Sequence, residues 1–298
     1  MKRDFLKLAD ISHAEHRALL ARARELKALR QKRSLVETLK GRTLGLVFEK
    51  PSTRTRVAFE AAMCQLGGTA LSLPMAESQV KRGETLEDTA RVLSRYVDGL
   101  VFRTFGDQRL ATFAGATTVS VINGLSEGAH PVQLLADLMT IEERFGSLEG
   151  RRVAFVGDGA SNMALSWIEA AKLFQFQLTV AAPKGYQPPS QPPGSSGVRV
   201  SDDPKVAVTD ADVVCTDVWL SMGQEDEAEK RRAAFQGFQV DETLLGRASP
   251  KAIVLHCLPA HRGEEISAAV IDGPQSAVFD EAENRLHTQK ALLELLLG

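Results

Sequence analysis

Two hydroxyl–arginine pairs follow one another at residues 52–56, which read Ser-Thr-Arg-Thr-Arg. Two cations two residues apart repel each other unless a negative group lies close to them. The apolar run TLGLVFE just before them predicts a buried strand over residues 43–49. The pattern over residues 53–66 predicts a helix that two glycines end. The pairs therefore stand where a strand turns into a helix.

The start of this predicted helix is a candidate anion site. Helix N-termini offer unpaired N–H groups and a partial positive charge. Thr53 and Thr55 add hydroxyl groups, and Arg54 adds a planar fork that suits phosphate or carboxylate oxygens. The segment is not a P-loop, since it lacks the glycines and the Gly-Lys-Ser/Thr ending. The alternative is a simple helix cap at Ser52 with solvated arginines.

Three further polar residues of the first half are placed to serve the same anion. Arg103 ends a predicted strand over 98–103, and ligands bind beyond the carboxyl ends of parallel strands. His130 and Gln133 stand three residues apart at the start of a predicted helix, so they share one face. A histidine beside arginines and hydroxyls suits the polarisation of a carbonyl group. An arginine that points to solvent and a structural histidine are the alternatives.

The stretch VGDGASNM at residues 156–163 imitates the dinucleotide-binding fingerprint. Asn162 occupies the position of its third glycine, and Lys184 stands where an acidic residue would hold a ribose hydroxyl. Both departures argue against a dinucleotide cofactor. Asn162 still offers a side-chain amide to a small ligand at the start of a predicted helix.

Two strand ends in the second half carry a carboxylate and a thiol. Asp217 closes a predicted strand and precedes a turn of Ser221, Met222 and a glycine, while Cys257 closes another strand. Asp217 could pair with a substrate ammonium group. Cys257 could be a nucleophile, although no histidine–aspartate arrangement around it specifies one. Buried strand-end residues are the alternative for both, and Arg285, near the start of the terminal helix, leaves the same choice open.

Strands and helices alternate along the chain in two series, divided near residues 131–150. This alternation predicts an α/β protein of two domains, each a parallel sheet with helices on both faces. Residues 183–197 hold five prolines and predict neither helix nor strand. Further helices are predicted over 14–30, 85–96, 107–114, 131–146 and 161–174, and further strands over 119–123, 152–157, 177–182, 212–217, 252–257 and 277–281.

The composition excludes several classes of protein. The chain has 298 residues, an apolar fraction of 44% and a formal net charge of −2, so no global basic field indicates nucleic acid binding. The N-terminus does not resemble a signal peptide, and no apolar run is long enough to span a membrane. Cys64, Cys215 and Cys257 form no pair with zinc or disulfide spacing. We expect a cytoplasmic, soluble and metal-free protein.

Six stretches, in order along nearly the whole chain, resemble the motifs of the ornithine carbamoyltransferases: FEKPSTRTR, DTARVLSRYVDG, HPVQLLADLMTI, DVWLSMGQE, HCLPAHRGEE and FDEAENRLHTQKALL. The resemblance implies a carbamoyl-phosphate domain over residues 1–135 and an ornithine domain over 136–281. It implies that a terminal helix, 282–298, packs back on the first domain. The implied reaction transfers the carbamoyl group of carbamoyl phosphate to the side-chain amine of L-ornithine, giving L-citrulline and phosphate.

The resemblance also implies a role for individual residues. Carbamoyl phosphate would be bound by Ser52, Thr53, Arg54, Thr55, Gln79, Arg103, His130, Gln133, Cys257, Leu258 and Arg285. Ornithine would be bound by Asn162, Asp217, Ser221 and Met222. The catalytic groups would be Arg103, His130, Asp217, Cys257 and Arg285. The family pattern implies no metal or organic cofactor, and a homotrimer or assembly of trimers in which the loop at Gln79 reaches a neighbouring subunit.

Two other functions fit parts of this pattern. The first is a carbamoyltransferase that acts on another amine, such as putrescine or an acylated ornithine. The second is a non-catalytic anion-binding regulator on the same fold. The Ser-Met-Gly turn and the His-Cys-Leu-Pro stretch favour ornithine, and the full set of reactive groups favours an enzyme.

Overall fold

The chain forms two compact units, each with its own parallel sheet. One unit consists of Met1–Met139 with Glu283–Gly298, and the other of Thr140–Ala282. Strands and helices alternate, so the predicted α/β class with two parallel sheets is confirmed. The structure is a computed structural model that describes residues 2–75, 79–189, 197–221 and 225–298. Within those ranges no helix has both the length and the apolar character needed to cross a membrane.

The strands of the described residues lie close to the predicted ones, with two additions. They are β1 (Thr43–Phe48), β2 (Thr69–Pro74), β3 (Gly99–Arg103), β4 (Ser120–Leu125), β5 (Arg152–Val156), β6 (Gln177–Ala181), β7 (Val198–Ser201), β8 (Val213–Thr216) and β9 (Ile253–His256). The two additions, β2 and β7, are the outermost strands of their sheets. Their residues are largely exposed or half-buried, so they lack the continuous apolar run that marks a central parallel strand.

The helices connect these strands. They are α1 (His13–Gln31), α2 (Thr53–Gln65), α3 (Leu86–Leu93), α4 (Asp107–Ala116), α5 (Pro131–Phe145), α6 (Asn162–Phe174), α7 (Pro204–Val208), α8 (Ala228–Ala234), α9 (Glu242–Leu245), α10 (Ala268–Ile271) and α11 (Val278–Leu297). Short 3₁₀ helices cover Leu8–Asp10, Gln79–Arg82 and Glu225–Glu227. Of the proline-rich segment, 183–189 forms neither helix nor strand, as predicted, and 190–196 lies outside the described residues.

Both sheets reverse their strand order at an interior position. The order is β2-β1-β3-β4 in the first unit and β7-β6-β5-β8-β9 in the second. Successive parallel strands therefore step outward in opposite directions from β1 and β3, and likewise from β5 and β8. Right-handed crossovers in opposite directions place their helices on opposite faces and leave a crevice at the reversal. The residues that follow β1, β3, β5 and β8 surround these crevices.

The predicted strand over 277–281 is wrong, because these residues start α11. Only Ser276 forms a parallel bridge with the second sheet, to Val254. The chain then turns into a helix whose first turn carries Asp280 and Glu281. Acidic side chains stabilise a helix N-terminus, and this outweighs the β-propensity of Val278.

The greater part of α11 belongs to the first unit. Arg22 of α1 donates two hydrogen bonds to Glu294, from Nε to Oε2 at 2.6 Å and from Nη2 to Oε1 at 2.9 Å. Lys27 Nζ donates to Asn284 Oδ1 at 2.8 Å. Leu292 and Leu293 are fully buried. These contacts hold Arg285, near the start of the helix, against the first sheet's helices.

Candidate active site

The turn after β1 caps α2 with Ser52. The Ser52 hydroxyl accepts a hydrogen bond from Thr55 N–H at 3.3 Å. Thr53 is exposed, Arg54 is half-buried and Thr55 is completely buried, whereas Arg56 is exposed. The helix cap that we considered as an alternative is thus present. It accounts for Ser52 and for the solvated Arg56, but it does not account for the burial around Thr55.

Two arginines from distant parts of the sequence lie at this turn of the first unit. Arg285 Nη2 donates to Thr55 Oγ1 at 2.7 Å, across 230 residues of sequence. Arg103 ends β3, opposite Phe48 of β1, and its Nη1 donates to Gly124 O at 3.3 Å. Both arginines are more than nine-tenths buried. Buried guanidinium groups are costly unless they are hydrogen-bonded or face an anion.

His130 is buried among these cations. Burial lowers the pKa of its imidazole well below the usual value, and the positive charges of Arg285, Arg103 and Arg54 lower it further. The ring is therefore neutral near pH 7 and can donate one N–H group to a ligand. One turn further along α5, Gln133 Nε2 donates to the buried Asp137 Oδ1 at 2.8 Å. The neutral histidine and the amide add uncharged polar groups to a cationic site.

Gln79 differs from the other residues predicted for this site. It begins a 3₁₀ helix and is exposed, whereas Thr55, Arg103 and His130 are buried. Its predicted role concerns a neighbouring subunit and stays a prediction.

In the second unit, three strand ends line up at the central crevice. Val156 of β5 pairs with Thr216 of β8, which pairs with His256 of β9. The next residues along these strands are Gly157, Asp217 and Cys257, so they form one row at the carboxyl edge of the sheet. A Cβ atom added to Gly157 would lie 3.7 Å from Asp217 O. This is an ordinary contact distance, so glycine is required here by its φ of +146°, which residues with a side chain rarely adopt, and not by a close approach.

Asp217 and Cys257 are bonded to each other. The Cys257 thiol donates to Asp217 Oδ1 at 3.1 Å, and Val218 N–H donates to the same oxygen at 2.9 Å. Burial raises the pKa of the Asp217 carboxyl, although the electrostatic effect of the nearby His256 and the hydrogen bonds from the Cys257 thiol and the Val218 N–H group each act in the opposite direction. A buried carboxylate with a raised pKa suits both the binding of an ammonium group and the acceptance of its proton.

A buried histidine–glutamate pair supports the turn after β9. Leu258 N–H donates to His256 Nδ1 at 2.9 Å, so Nε2 carries the proton that Glu265 Oε1 accepts at 3.1 Å. Glu265 Oε1 also accepts His261 N–H at 2.6 Å. Leu258 has φ +57°, a left-handed conformation that side chains seldom adopt. The pair therefore fixes the backbone on either side of Cys257.

Asp217, His256 and Cys257 bring three potential metal-ligand atoms within 4.8 Å of one another. However, these atoms already take part in hydrogen bonds within the fold. His256 Nδ1 accepts a backbone N–H, and its Nε2–H is directed at Glu265. Because the residues satisfy one another, their arrangement does not require a cation.

Two of the remaining residues predicted for ornithine, Asn162 and Ser221, lie on the same unit. Asn162 begins α6, which Ser161 caps by accepting Ala164 N–H at 3.2 Å. Asn162 and Ser221 are half-buried. Met222 lies outside the described residues.

Known proteins of one family match this chain over nearly its full length. Residues 3–143 match the family model "Aspartate/ornithine carbamoyltransferase, carbamoyl-P binding domain", and residues 149–296 match the corresponding "Asp/Orn binding domain". The ornithine carbamoyltransferase of Halorhodospira halophila is 56% identical over 99% of both chains. The anabolic ornithine carbamoyltransferase of Pseudomonas aeruginosa is 53% identical over 99% of this chain and 97% of its own.

The solved structure of ornithine carbamoyltransferase from Pyrococcus furiosus superposes with a TM-score of 0.94 and 48% identity, covering 99% of this chain and 97% of the other. The chain belongs to the aspartate/ornithine carbamoyltransferase family. The predicted family resemblance is thereby confirmed.

Sequence reasoning missed several residues that contact the candidate site residues or lie beside them. Arg231 of α8 is buried, and its Nη1 donates to Asp158 Oδ2 at 2.7 Å and to Trp219 O at 3.0 Å. It thereby joins the turn before Asn162 to the segment after Asp217. Asp137, His256 and Glu265 were missed as well. Gln133 and Asp137 stand four residues apart on one helix, and this spacing could have predicted their contact from the sequence. The pairs Arg231–Asp158 and His256–Glu265 do not have a spacing that predicts a contact.

Proposed function

We propose that this protein transfers the carbamoyl group of carbamoyl phosphate to the side-chain amine of L-ornithine, with L-citrulline and phosphate as products. The observation that carries the proposal is identity of about half the residues to ornithine carbamoyltransferases over the full chain. The charges of the two crevices support it, because the first is cationic and the second holds a buried carboxylate. A dianion and an ammonium group are the ligands that such sites bind best.

In the first unit, the residues of the α2 N-terminus hold the phosphate. The N–H groups, Ser52, Thr53 and Thr55 donate hydrogen bonds, and Arg54 and Arg103 supply positive charge. The neutral imidazole of His130, the amide of Gln133 and the cationic Arg285 bind the carbamoyl group. Attack on its carbon places negative charge on the carbonyl oxygen, and Arg285, Thr55 and His130 stabilise that charge. The same cations then stabilise the departing phosphate.

In the second unit, Asp217 orients the amine and removes its proton. A primary amine of this kind has a pKa of about 10.4, so it reaches the site protonated and must lose a proton before attack. The raised pKa of the Asp217 carboxyl makes it a better acceptor. The Cys257 thiol, hydrogen-bonded to Asp217, and the backbone of Leu258 lie beside the amine. Asn162, Ser221 and Met222 bind the amino-acid end of ornithine.

The direct test is a steady-state assay of carbamoyl transfer with three amines: ornithine, putrescine and N-acetylornithine. We expect citrulline formation from ornithine with a kcat/KM at least about 10³-fold above those for the other two, because a site built for a charged group rejects ligands that lack it. If the protein preferred putrescine or N-acetylornithine, that amine would be its substrate in place of ornithine. Absence of transfer to all three would favour the anion-binding regulator.

The direction of metabolism and the cellular setting complete the proposal. One similar relative carries the name anabolic ornithine carbamoyltransferase, which supports a role in arginine biosynthesis. We propose that the enzyme works in the cytoplasm, needs no metal or organic cofactor and assembles from trimers. In such a closed ring each subunit can lend the loop at Gln79 to the phosphate site of the next.

Mixed trimers test this shared site. Arg54→Ala removes a subunit's own phosphate clamp and Gln79→Ala alters the lent loop. If both parents are nearly inactive, refolding them together should restore activity at each junction of an intact clamp and an intact loop. Citrulline formation measures the gain. Activity no higher than the average of the two parents would contradict the lent loop.

A further inference from the structure

A second cationic cavity lies in the first unit, away from the residues assigned to carbamoyl phosphate. It has a volume of about 600 Å³ and is formed by the end of α1, the segment after it, the end of α2 and one residue of α11. Its lining includes Arg30, Arg33, Lys290, Glu37 and Cys64. Three of these side chains are cationic and one is anionic. Cavities of this size hold small metabolites.

Lys290 is the most unusual member of the lining. Only 2% of the residue is exposed, and Nζ donates to Gln65 Oε1 at 3.4 Å, a long hydrogen bond. Burial lowers the pKa of Lys290; Glu294 opposes this, and the charges of Arg30 and Arg22 add to it. Glu294 is itself held by Arg22. Among the described residues, Lys290 forms no ion pair within 4 Å.

Arg33 occupies a position where helices usually place glycine. It follows the C-cap of α1 with φ +55°, and Ser34 N–H donates to Leu29 O at 3.0 Å across the helix end. A glycine would adopt this left-handed conformation without a steric penalty. Arg33 adopts this conformation in spite of the steric penalty, and it lines the cavity. Neither Arg33 nor Arg30 forms an ion pair with any described residue.

We propose that this cavity is a second anion site, which binds a small phosphate-bearing molecule without an aromatic ring. A buried ammonium and two guanidinium groups are typical partners of phosphate oxygens. The lining offers Leu35 and Val36 as apolar surface but no aromatic side chain on which a base could stack. The site is independent of the proposed carbamoyl transfer, because it shares no residue with the carbamoyl-phosphate site.

Cys64 supplies a local readout. It is exposed and lines the cavity, so an occupant should slow its alkylation. We would measure the rate at Cys64 by peptide mass spectrometry, with anionic iodoacetate and with neutral iodoacetamide, and with pyrophosphate as the competing ligand. Iodoacetate should react faster relative to iodoacetamide than it does with a free thiol peptide. The local positive charge attracts pyrophosphate to the cavity. At saturation, the bound pyrophosphate should slow both reactions by about tenfold.

Four variants decide whether the cavity causes this protection. Lys290→Met and Arg33→Gly should abolish it, and the glycine variant keeps the backbone conformation if the methionine variant fails to fold. Lys32→Ala, an exposed lysine that does not line the cavity, removes the same charge and should retain it. Arg54→Ala should also retain it, which separates this site from the carbamoyl-phosphate site whether or not carbamoyl transfer is confirmed.

The competing outcomes overturn the proposal. Unchanged alkylation in saturating pyrophosphate, or equal protection in wild type and Arg33→Gly, would show that the cavity binds no such anion. Inorganic phosphate should protect at higher concentrations than pyrophosphate, because it reaches fewer of the cations. Tenfold stronger protection by adenosine diphosphate than by pyrophosphate would contradict a ligand without a ring.

Discussion

The two crevices of this protein have the same architecture and opposite electrostatics. Each lies at the reversal of strand order in a parallel sheet, with a helix starting beside it. In the first unit, burial lowers the pKa of His130, and three nearby arginines lower it further, so the ring stays neutral. In the second, burial keeps the Asp217 carboxyl closer to its protonated form. The sheet geometry thus provides a place for a ligand, and the residues at the strand ends decide which charge it carries.

Buried arginines also differ between the two units. Arg103 donates to a backbone carbonyl and Arg285 to a threonine hydroxyl, while Arg231 donates to the carboxylate of Asp158. A hydrogen bond to a neutral acceptor does not cancel the positive charge of a guanidinium group, so that charge can still attract an incoming anion. The charge of Arg231 is neutralised within the fold, which makes it a structural link. Loss of an arginine from the first crevice should therefore reduce activity, whereas loss of the pair between Arg231 and Asp158 should reduce stability.

The largest effect should follow the loss of a cation from the first crevice. Arg54→Ala should lower kcat/KM for carbamoyl phosphate by about 10³-fold, or about 4 kcal/mol, because a charge-assisted contact to the dianion disappears. Steady-state kinetics measures it. Arg56→Ala removes the same charge from an exposed position two residues away and should stay within about threefold of wild type. Near-normal turnover in Arg54→Ala would disprove the phosphate site.

Loss of the structural link in the second unit should act on stability. Asp158→Asn removes the buried one of the two carboxylates that Arg231 contacts and should lower the free energy of unfolding by about 3 kcal/mol. Denaturant unfolding measures the loss, and Arg231→Met in the same chain should recover part of it. Glu227→Gln, which changes a half-exposed partner of Arg231, should cost less than about 1 kcal/mol. Equal losses in the two single variants would argue against a dominant buried pair.

The division of ligands between the crevices can be tested at Asp217. Asp217→Asn should raise the KM for ornithine by about 10²-fold, because the amine loses a buried negative partner. The dissociation constant of carbamoyl phosphate, measured by calorimetry, should stay nearly unchanged. Asp210→Asn, an exposed carboxylate on the same unit, serves as the matched control. A comparable loss of carbamoyl-phosphate affinity would contradict separate sites.

The smallest effect is a contrast in pH dependence. His130 has a lowered pKa in the fold, so below about pH 6.5 the unfolded chain binds a proton that the folded chain does not, and stability falls by about 1.4 kcal/mol per pH unit. His130→Gln should therefore lose less stability than wild type between pH 6.5 and pH 5. Asp217 has a raised pKa, so its ionisation opposes folding as the pH rises.

Asp217→Asn should accordingly be more stable than wild type at pH 7, and its advantage should shrink as the pH falls through the raised pKa. Thermal unfolding of both variants and wild type at several pH values measures the two trends. If both variants followed the wild-type pH dependence in parallel, neither pKa shift would be present.

The local sequence determined the elements that carry the strand-end residues. The apolar run before Ser52 and the helical pattern after it place the candidate anion-binding turn within one or two residues, because buried strands and helix starts have short-range signatures. The same reasoning located Arg103, Asp217 and Cys257 at strand ends. It failed at β2 and β7, whose exposed residues lack a core pattern, and at 277–281, where two acidic residues turn a strand-like run into a helix.

Tertiary structure alone decided which of these ends meet. Thr55 and Arg285 are 230 residues apart, and Asp158 and Arg231 are 73 apart, yet each pair shares a hydrogen bond. No periodicity of neighbouring residues encodes such pairs, because they depend on the order of the strands and on the return of α11 to the first unit. Burial then set the charges: the depressed pKa of His130 and the raised pKa of Asp217 arise from desolvation, which exists only once the chain is packed.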